Sequence, residues 1–303
     1  MKRILPRLIV VAALLCQFCL AQQYPPTASY YSLLKLNPSV NTNGQPTWAG
    51  GVADILFAPA EDFSAKVLVK SGSQVLAEFP ARIEQRVGSI ARIRWKYEFV
   101  PLGNTPGPRS IEFLVNDKLC GKLEFNVVPG AGGGGGDAFD PKPSPVEIDG
   151  PWGRHGRFYY ASDPANQQRV HFEYWSKSGE LKGPAKGMLD LVMRRGDTVL
   201  ATAQPRETAY DHYLKKDNEL VKADGKVLTA KDLPGMSGPF VLELRYQGKL
   251  IKSYRGSIED GRFVDHPRSD LGLADRTQFL SPREMSDGGG SLSPQTYTWV
   301  TTD

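Results

Sequence analysis

Apolar and polar residues alternate most clearly between Ile90 and Val100. Ala91, Ile93, Trp95, Tyr97 and Phe99 fall on one parity, and Arg92, Arg94, Lys96 and Glu98 on the other. Period-two alternation of this length predicts a strand with one buried and one solvated face. Shorter runs surround it. Tyr30–Leu36 and Gly51–Phe57 read as strands, and Lys66–Lys70 and Gln74–Phe79 flank Ser71-Gly72-Ser73 as a glycine-turn hairpin. A second hairpin follows. Ile111, Phe113 and Val115 point inward, Asn116-Asp117 turns, and Leu119, Leu123, Phe125 and Val127 point inward again, which leaves Cys120 on the outward parity.

The pattern then recurs. Val170, Phe172 and Tyr174 alternate with His171, Glu173 and Trp175, and Leu189, Leu191 and Met193 alternate with Asp190 and Val192. Ser71-Gly72-Ser73-Gln74-Val75-Leu76-Ala77 matches Arg195-Gly196-Asp197-Thr198-Val199-Leu200-Ala201 at a shift of 124. The closing hairpins match at a shift of 131. Gly107-Pro108 falls on Gly238-Pro239, Glu112 on Glu243, Lys118-Leu119 on Lys249-Leu250 and Gly130 on Gly261. Two matched hairpins with matching parity predict an internal duplication. The two shifts place a net insertion of seven residues in the second copy, within the polar stretch Glu207–Leu233.

Between the copies lies Gly132 to Gly136, five consecutive glycines, followed by Asp140-Pro141-Lys142-Pro143-Ser144-Pro145. Such a run carries no side chains for a core and reads as a flexible joint with a stiffer proline section. The expected organisation is a leader over 1–21, a first β-sandwich over 22–129, and a Gly/Pro-rich linker over 130–144. A second sandwich over 145–261 and a largely disordered tail over 262–303 complete it. Each closing hairpin, Gly-Pro followed by an alternating strand, a tight turn and a returning strand, resembles immunoglobulin-like and fibronectin-III-like modules of bacterial envelope proteins. That resemblance implies an all-β chain of two tandem immunoglobulin-like sandwiches and, by itself, no activity.

Composition refines this picture at three points. Residues 1–21 open with Lys2, Arg3 and Arg7, continue through an apolar run from Leu8 to Leu20, and end Cys19-Leu20-Ala21. That is the pattern of a secretory signal peptide cut after Ala21. Removing it takes the net charge from +4 to +1, which gives no electrostatic footprint for nucleic acid. It also removes Cys16 and Cys19, so Cys120 alone is left of the three cysteines. One thiol neither closes an intrachain disulfide nor builds a zinc site. No later stretch is long and apolar enough to span a membrane, so the expected home is the bacterial periplasm or the cell exterior.

Candidate chemistry is sparse. The four histidines, His155, His171, His212 and His266, show no metal-ligand spacing. No nucleophile elbow or phosphate-binding loop occurs, so no catalytic residue, metal or cofactor is assigned. Arg195-Gly196-Asp197 spells an adhesion tripeptide but sits where the first copy has the turn Ser71-Gly72-Ser73. Aromatic residues are the best lead to a ligand. Trp152, Tyr159, Tyr160 and Trp175 are the candidates for stacking on a sugar ring or for shielding a domain joint. Near the tail's end, Tyr297, Trp299 and Val300 lie in a β-prone stretch without proline or charge, suited to adding a strand to an open sheet edge. The expected function is an exported, non-catalytic binding, adhesion or assembly subunit of the cell envelope. The alternatives are a carbohydrate-binding accessory protein and a hydrolase with its site in 207–233. Expected partners are other envelope proteins or a glycan.

Overall fold

A computed structural model describes residues 25–29, 37–40, 46–129, 146–162, 165, 167–177, 186–209, 213–264, 283–288 and 291–302. The expected leader over 1–21, the expected strand Tyr30–Leu36, the glycine run and His212 lie outside the described residues. The described chain is all-β and sandwich-like, with two nine-stranded antiparallel sheets and a separate hairpin. Among the described residues no helix is long and apolar enough to cross a membrane.

The first sheet holds β1 (Thr27–Ala28), β2 (Asn37–Val40), β3 (Pro46–Leu56), β4 (Ala65–Ser71), β5 (Gln74–Val87), β6 (Ile90–Pro101), β7 (Gly107–Val115), β8 (Lys118–Pro129) and β9 (Val146–Asp149). Their order is β1-β3-β6-β5-β4-β7-β8-β9, with β2 on β3. Strands β4, β5 and β6 form a meander whose last member pairs with the earlier β3, a Greek key. The long β5 changes partner midway. Gln74–Ala81 pairs with β4, and Arg82–Val87 pairs with β6. The sheet thereby folds over, and Trp95 of β6 meets Phe113 of β7 at 5.8 Å, while Trp48 of β3 stacks on Phe125 of β8 at 5.1 Å.

The second sheet holds β10 (His155–Ser162), β11 (Gln168–Lys177), β12 (Lys186–Arg195), β13 (Thr198–Ala209), β14 (Tyr213–Lys222), β15 (Gly238–Tyr246), β16 (Lys249–Glu259), β17 (Arg262–Phe263) and, from the tail, β20 (Thr298–Thr301). Read from the β20 end, the order is β20-β10-β11-β14-β13-β12-β15-β16-β17. The hairpin of β18 (Arg283–Gly288) and β19 (Ser291–Thr296) lies against β6 and β5.

The registers of β4–β5 from Val67, of β4–β7 and of β7–β8 coincide with those of β12–β13 from Leu191, of β12–β15 and of β15–β16. Val69 opposes Ile111 between β4 and β7, and Met193 opposes Leu242 between β12 and β15. Val69 and Met193 are 124 residues apart, and Ile111 and Leu242 are 131 apart, the shifts read from the sequence. Two irregularities coincide as well, while β12–β13 carries a further shift between Leu189 and Leu191 that β4–β5 lacks. The β4–β5 ladder shifts register between Val69 and Lys70, leaving Leu76 over, and β12–β13 shifts between Met193 and Arg194, leaving Leu200 over. The β7–β8 ladder leaves Cys120 over, and β15–β16 leaves Ile251 over.

Register shifts correct the readings of four residues made by strict alternation, Cys120, Leu119, Tyr97 and Phe99. An extra residue on one strand moves the residues after it to the other face. Cys120 is therefore buried at 2% exposure, and Leu119 points out at 39%. In β6 the register jumps from Glu98 opposite Gly50 to Arg94 opposite Val52. Ala91, Ile93 and Trp95 are buried as alternation demands, but Tyr97 and Phe99 are exposed and Val100 is buried in their stead. Arg92, on the polar parity, is also buried, where it forks onto Asp54 at 2.8 and 3.2 Å.

The glycine run also has a different neighbourhood from the expected one. Val146–Asp149, just beyond it, return to the first sheet and pair with β8, Val127 opposite Ile148. Their counterpart is β17, where Ile258 opposes Phe263 across the tight turn Asp260-Gly261, both with positive φ. The glycine and proline residues thus connect neighbouring strands at the place where the second half has a two-residue turn. The chain passes between sheets through Gly150 and the 3-10 turn Pro151–Arg154.

Candidate functional site

Strand β10 is built to be covered on both faces. Its inward residue Phe158 is 2% exposed and packs on Phe172 and Phe263. Gly156, one turn of the pleat earlier, has no side chain because the Phe172 ring fills that space; a Cβ there would lie 2.3 Å from the ring. The absent side chain also leaves room on that face for Val300 of β20, which opposes Gly156 and is 3% exposed.

The other face of β10 and its neighbours carries the polar chemistry. Arg157 opposes Glu173 on β11 and Trp299 on β20. Its Nε donates to the Glu173 carboxylate at 2.5 Å, and the two side chains are only 4% and 6% exposed. The guanidinium also lies 3.7 Å from the centre of the Tyr297 ring, a cation–π contact strengthened by desolvation. Trp299 is fully buried. It stacks on Trp175 of β11 at 6.2 Å with planes 9° apart, and His155 meets it edge-on at 6.3 Å. Trp175 and Trp299 share one buried cluster with the core of the first sheet, Val146 and Ile148 of β9 included. Val300 instead joins the core of the second sheet. Backbone contacts finish the attachment: Thr302 N–H donates to Arg154 O at 2.8 Å.

Beside this lies a hydrogen-bonded trio on β10, β11 and β14. Tyr159 Oη donates to Asp217 Oδ2 at 2.5 Å, and His171 Nδ1 lies 3.1 Å from Asp217 Oδ1. Glu219 stands 4.0 Å from His171 Nε2 and accepts from Arg169 at 2.8 Å. Burial, reinforced by the bond to Asp217, pushes the Tyr159 hydroxyl far above the ordinary tyrosine range. Burial alone would raise Asp217, but the bonds from His171 and Tyr159 and the nearby Arg157 charge outweigh it and hold this carboxyl below its usual value. Tyr159 also rests edge-on against Tyr297 at 5.8 Å. The trio therefore buttresses the same strand that Arg157 and Trp175 grip.

No family model, curated protein or solved structure matches this chain.

The structure scatters some of the candidate residues and gathers others. Trp175 is 2% exposed, with one face on Trp299, so its ring is taken up inside the molecule. Tyr159 and Tyr160 are half-buried, the first in the hydrogen-bonded trio and the second against the core of the second sheet. Trp152 sits in the 3-10 turn, with its side chain outside the described residues. Tyr297, Trp299 and Val300 come together along the β10 edge. The Arg195-Gly196-Asp197 turn is exposed at Gly196 and Asp197, but Arg195 is bound to the carbonyls of Met236 and Pro239. The described part of stretch 207–233 holds the end of β13, paired there with β12, then β14, paired mainly with β11, and the start of a 3-10 turn in which Thr229 bonds Asp232. Sequence reasoning did not single out Arg157, Glu173, His171 and Asp217 as a group, because Arg157 and Asp217 come from strands far apart in the chain. The usable signal was Glu173 and His171 on the outward parity beside Trp175, an unusual set for one strand face.

Proposed function

We propose that the chain is an exported, non-catalytic binding or assembly subunit of the bacterial envelope, made of two immunoglobulin-like sandwiches that arose by duplication. The observation that carries this reading is the repeated unit β5-β4-β7-β8 and β13-β12-β15-β16, alike in order, in register over most of its length and in two bulges. Bulges are specific features of a strand pair, and two coincident ones argue for common descent of the halves. The most elaborate polar cluster supports the non-catalytic part. Arg157, Glu173, Tyr159, His171 and Asp217 are engaged with each other and with an added strand, an arrangement that supports holding rather than turnover. Export follows from the leader. Expression of the whole sequence in a bacterium, followed by fractionation and intact mass, tests this reading. The expected product lacks residues 1–21 and leaves the cytoplasm. A full-length cytoplasmic product, or a hydrolysis lost on one Asp, Glu or His substitution, would sink it.

A further inference from the structure

The β10 edge is a slot shaped for one particular strand, and that strand is joined to its sheet only through a long connection. Four pairs, His155–Thr301, Gly156–Val300, Arg157–Trp299 and Phe158–Thr298, align β20 on β10. Three large side chains fix it: Tyr297, Trp299 and Val300 are 4%, 0% and 3% exposed. Among the described residues the first sheet has no matching addition; there β1 (Thr27–Ala28) is the corresponding edge. Sequence-local contacts contribute little, because the nearest strand of the same sheet, β17, ends at Phe263. Even with the β18–β19 hairpin kept folded, residues 264–282 reach about 60 Å when extended, well beyond the diameter of a small domain. Pocket contacts of this kind are identical whether the strand comes from the same chain or from another copy, which is the condition for exchange.

We propose that the β10 edge is a strand-acceptor site whose partner is the β20 segment of a second copy of this chain, so that copies assemble by exchanging Tyr297–Thr302. This rests on the assembly reading above and names its partner. Each copy supplies one donor and one acceptor. A reciprocal exchange closes a two-fold dimer, and a head-to-tail exchange extends an open chain. Arg157, held by Glu173, selects the donor through its aromatic at 297, Trp175 through its tryptophan at 299, and the space above Gly156 through its β-branched residue at 300.

A cross-link between copies tests this directly. In a Cys120→Ala background, one copy carries only His155→Cys and another only Thr301→Cys. A third protein carries both. The first two are mixed, unfolded and refolded together over a range of concentrations, and then oxidised. Exchange predicts a disulfide-linked heterodimer whose yield rises with concentration and drops at least tenfold when Trp299→Ala is added to the Thr301→Cys copy. The double variant closes the same bridge within one chain when dilute. No heterodimer at any concentration, while the double variant cross-links internally, would overturn exchange between copies. Failure of the double variant to cross-link would overturn the β10–β20 register and the proposal with it. Both outcomes are independent of where the cell places the protein, so a failed export experiment and a failed exchange are separable.

Discussion

Across β7 and β8 the first half sets Arg109 opposite Phe125; across β15 and β16 the second half sets Phe240 opposite Gly256. The positions correspond, yet the aromatic ring has changed strands. In the first half Phe125 stacks on Trp48, and Arg109 turns away to bond the carbonyls of Leu102, Thr105 and Pro108. In the second half Phe240 lies over Gly256, where a Cβ would come within 2.5 Å of the ring. A fixed ladder therefore accepts one large ring per opposed pair from either strand, provided the other residue yields the space. The halves diverge more at their edges. The first sheet carries β9 across the glycine run and ends at the two-residue β1, whereas the second makes a tight turn into β17 and takes β20 from the tail.

Changes at Trp299 should separate the halves least, because its ring is shared. Trp299→Ala removes a fully buried indole and should cost about 3–5 kcal/mol. Since this side chain belongs to the first half's core cluster, denaturant unfolding should show both halves weakened. Trp48→Ala, of similar burial but internal to the first half, should cost about as much there and leave the second half's transition in place. A loss confined to the second half in Trp299→Ala would break the comparison.

Next in size is the ring exchange. Gly256→Ala pushes a methyl into Phe240 and should destabilise by about 1–3 kcal/mol, measured by the same unfolding curves. Gly196→Ala, at a turn where the site is open, should instead cost only what its φ of 55° imposes, roughly 1 kcal/mol.

Smaller still are the pH effects of Asp217 and Tyr159, both in the second half. Asp217 is held below its ordinary value of 3.8, so its contribution is present above that value and fades as pH falls through the lower folded value. The side chain is 45% exposed, which keeps the effect small. Tyr159 is raised, so its contribution is whole below pH 10 and is lost as pH climbs above that. Asp217→Asn should flatten the acid limb and Tyr159→Phe the alkaline limb of a plot of thermal midpoint against pH. The smallest effects belong to Leu119→Ser and Leu250→Ser, both at exposed bulge-side positions, each within about 0.5 kcal/mol of the parent.

Turns and strand identities were legible in the sequence because their signals are local. Asn116-Asp117 sits at positive φ on both residues, as a two-residue hairpin turn requires, and Gly72 and Gly196 take the same left-handed conformation. Bulges left no such mark. Nothing in Trp95–Phe99 announces that the register on β3 jumps there, so Tyr97 and Phe99 read as core and are 56% and 59% exposed. The glycine run is locally legible as a flexible composition, but which strands it joins depends on Val146–Asp149 finding β8, a long-range pairing. The Arg157–Glu173 clasp and the Tyr159–Asp217–His171 trio were hidden for the same reason: each is made by register between strands rather than by spacing within one.

Interstrand proton–proton contacts measured in solution test the central claim, that both halves carry one unit in one register. Close backbone contacts are expected between residues 69 and 111 and between 193 and 242, with the register slipping at Cys120 and again at Ile251. A ladder displaced by one residue at either of those pairs, or loss of the slip at Cys120 or at Ile251, would contradict it.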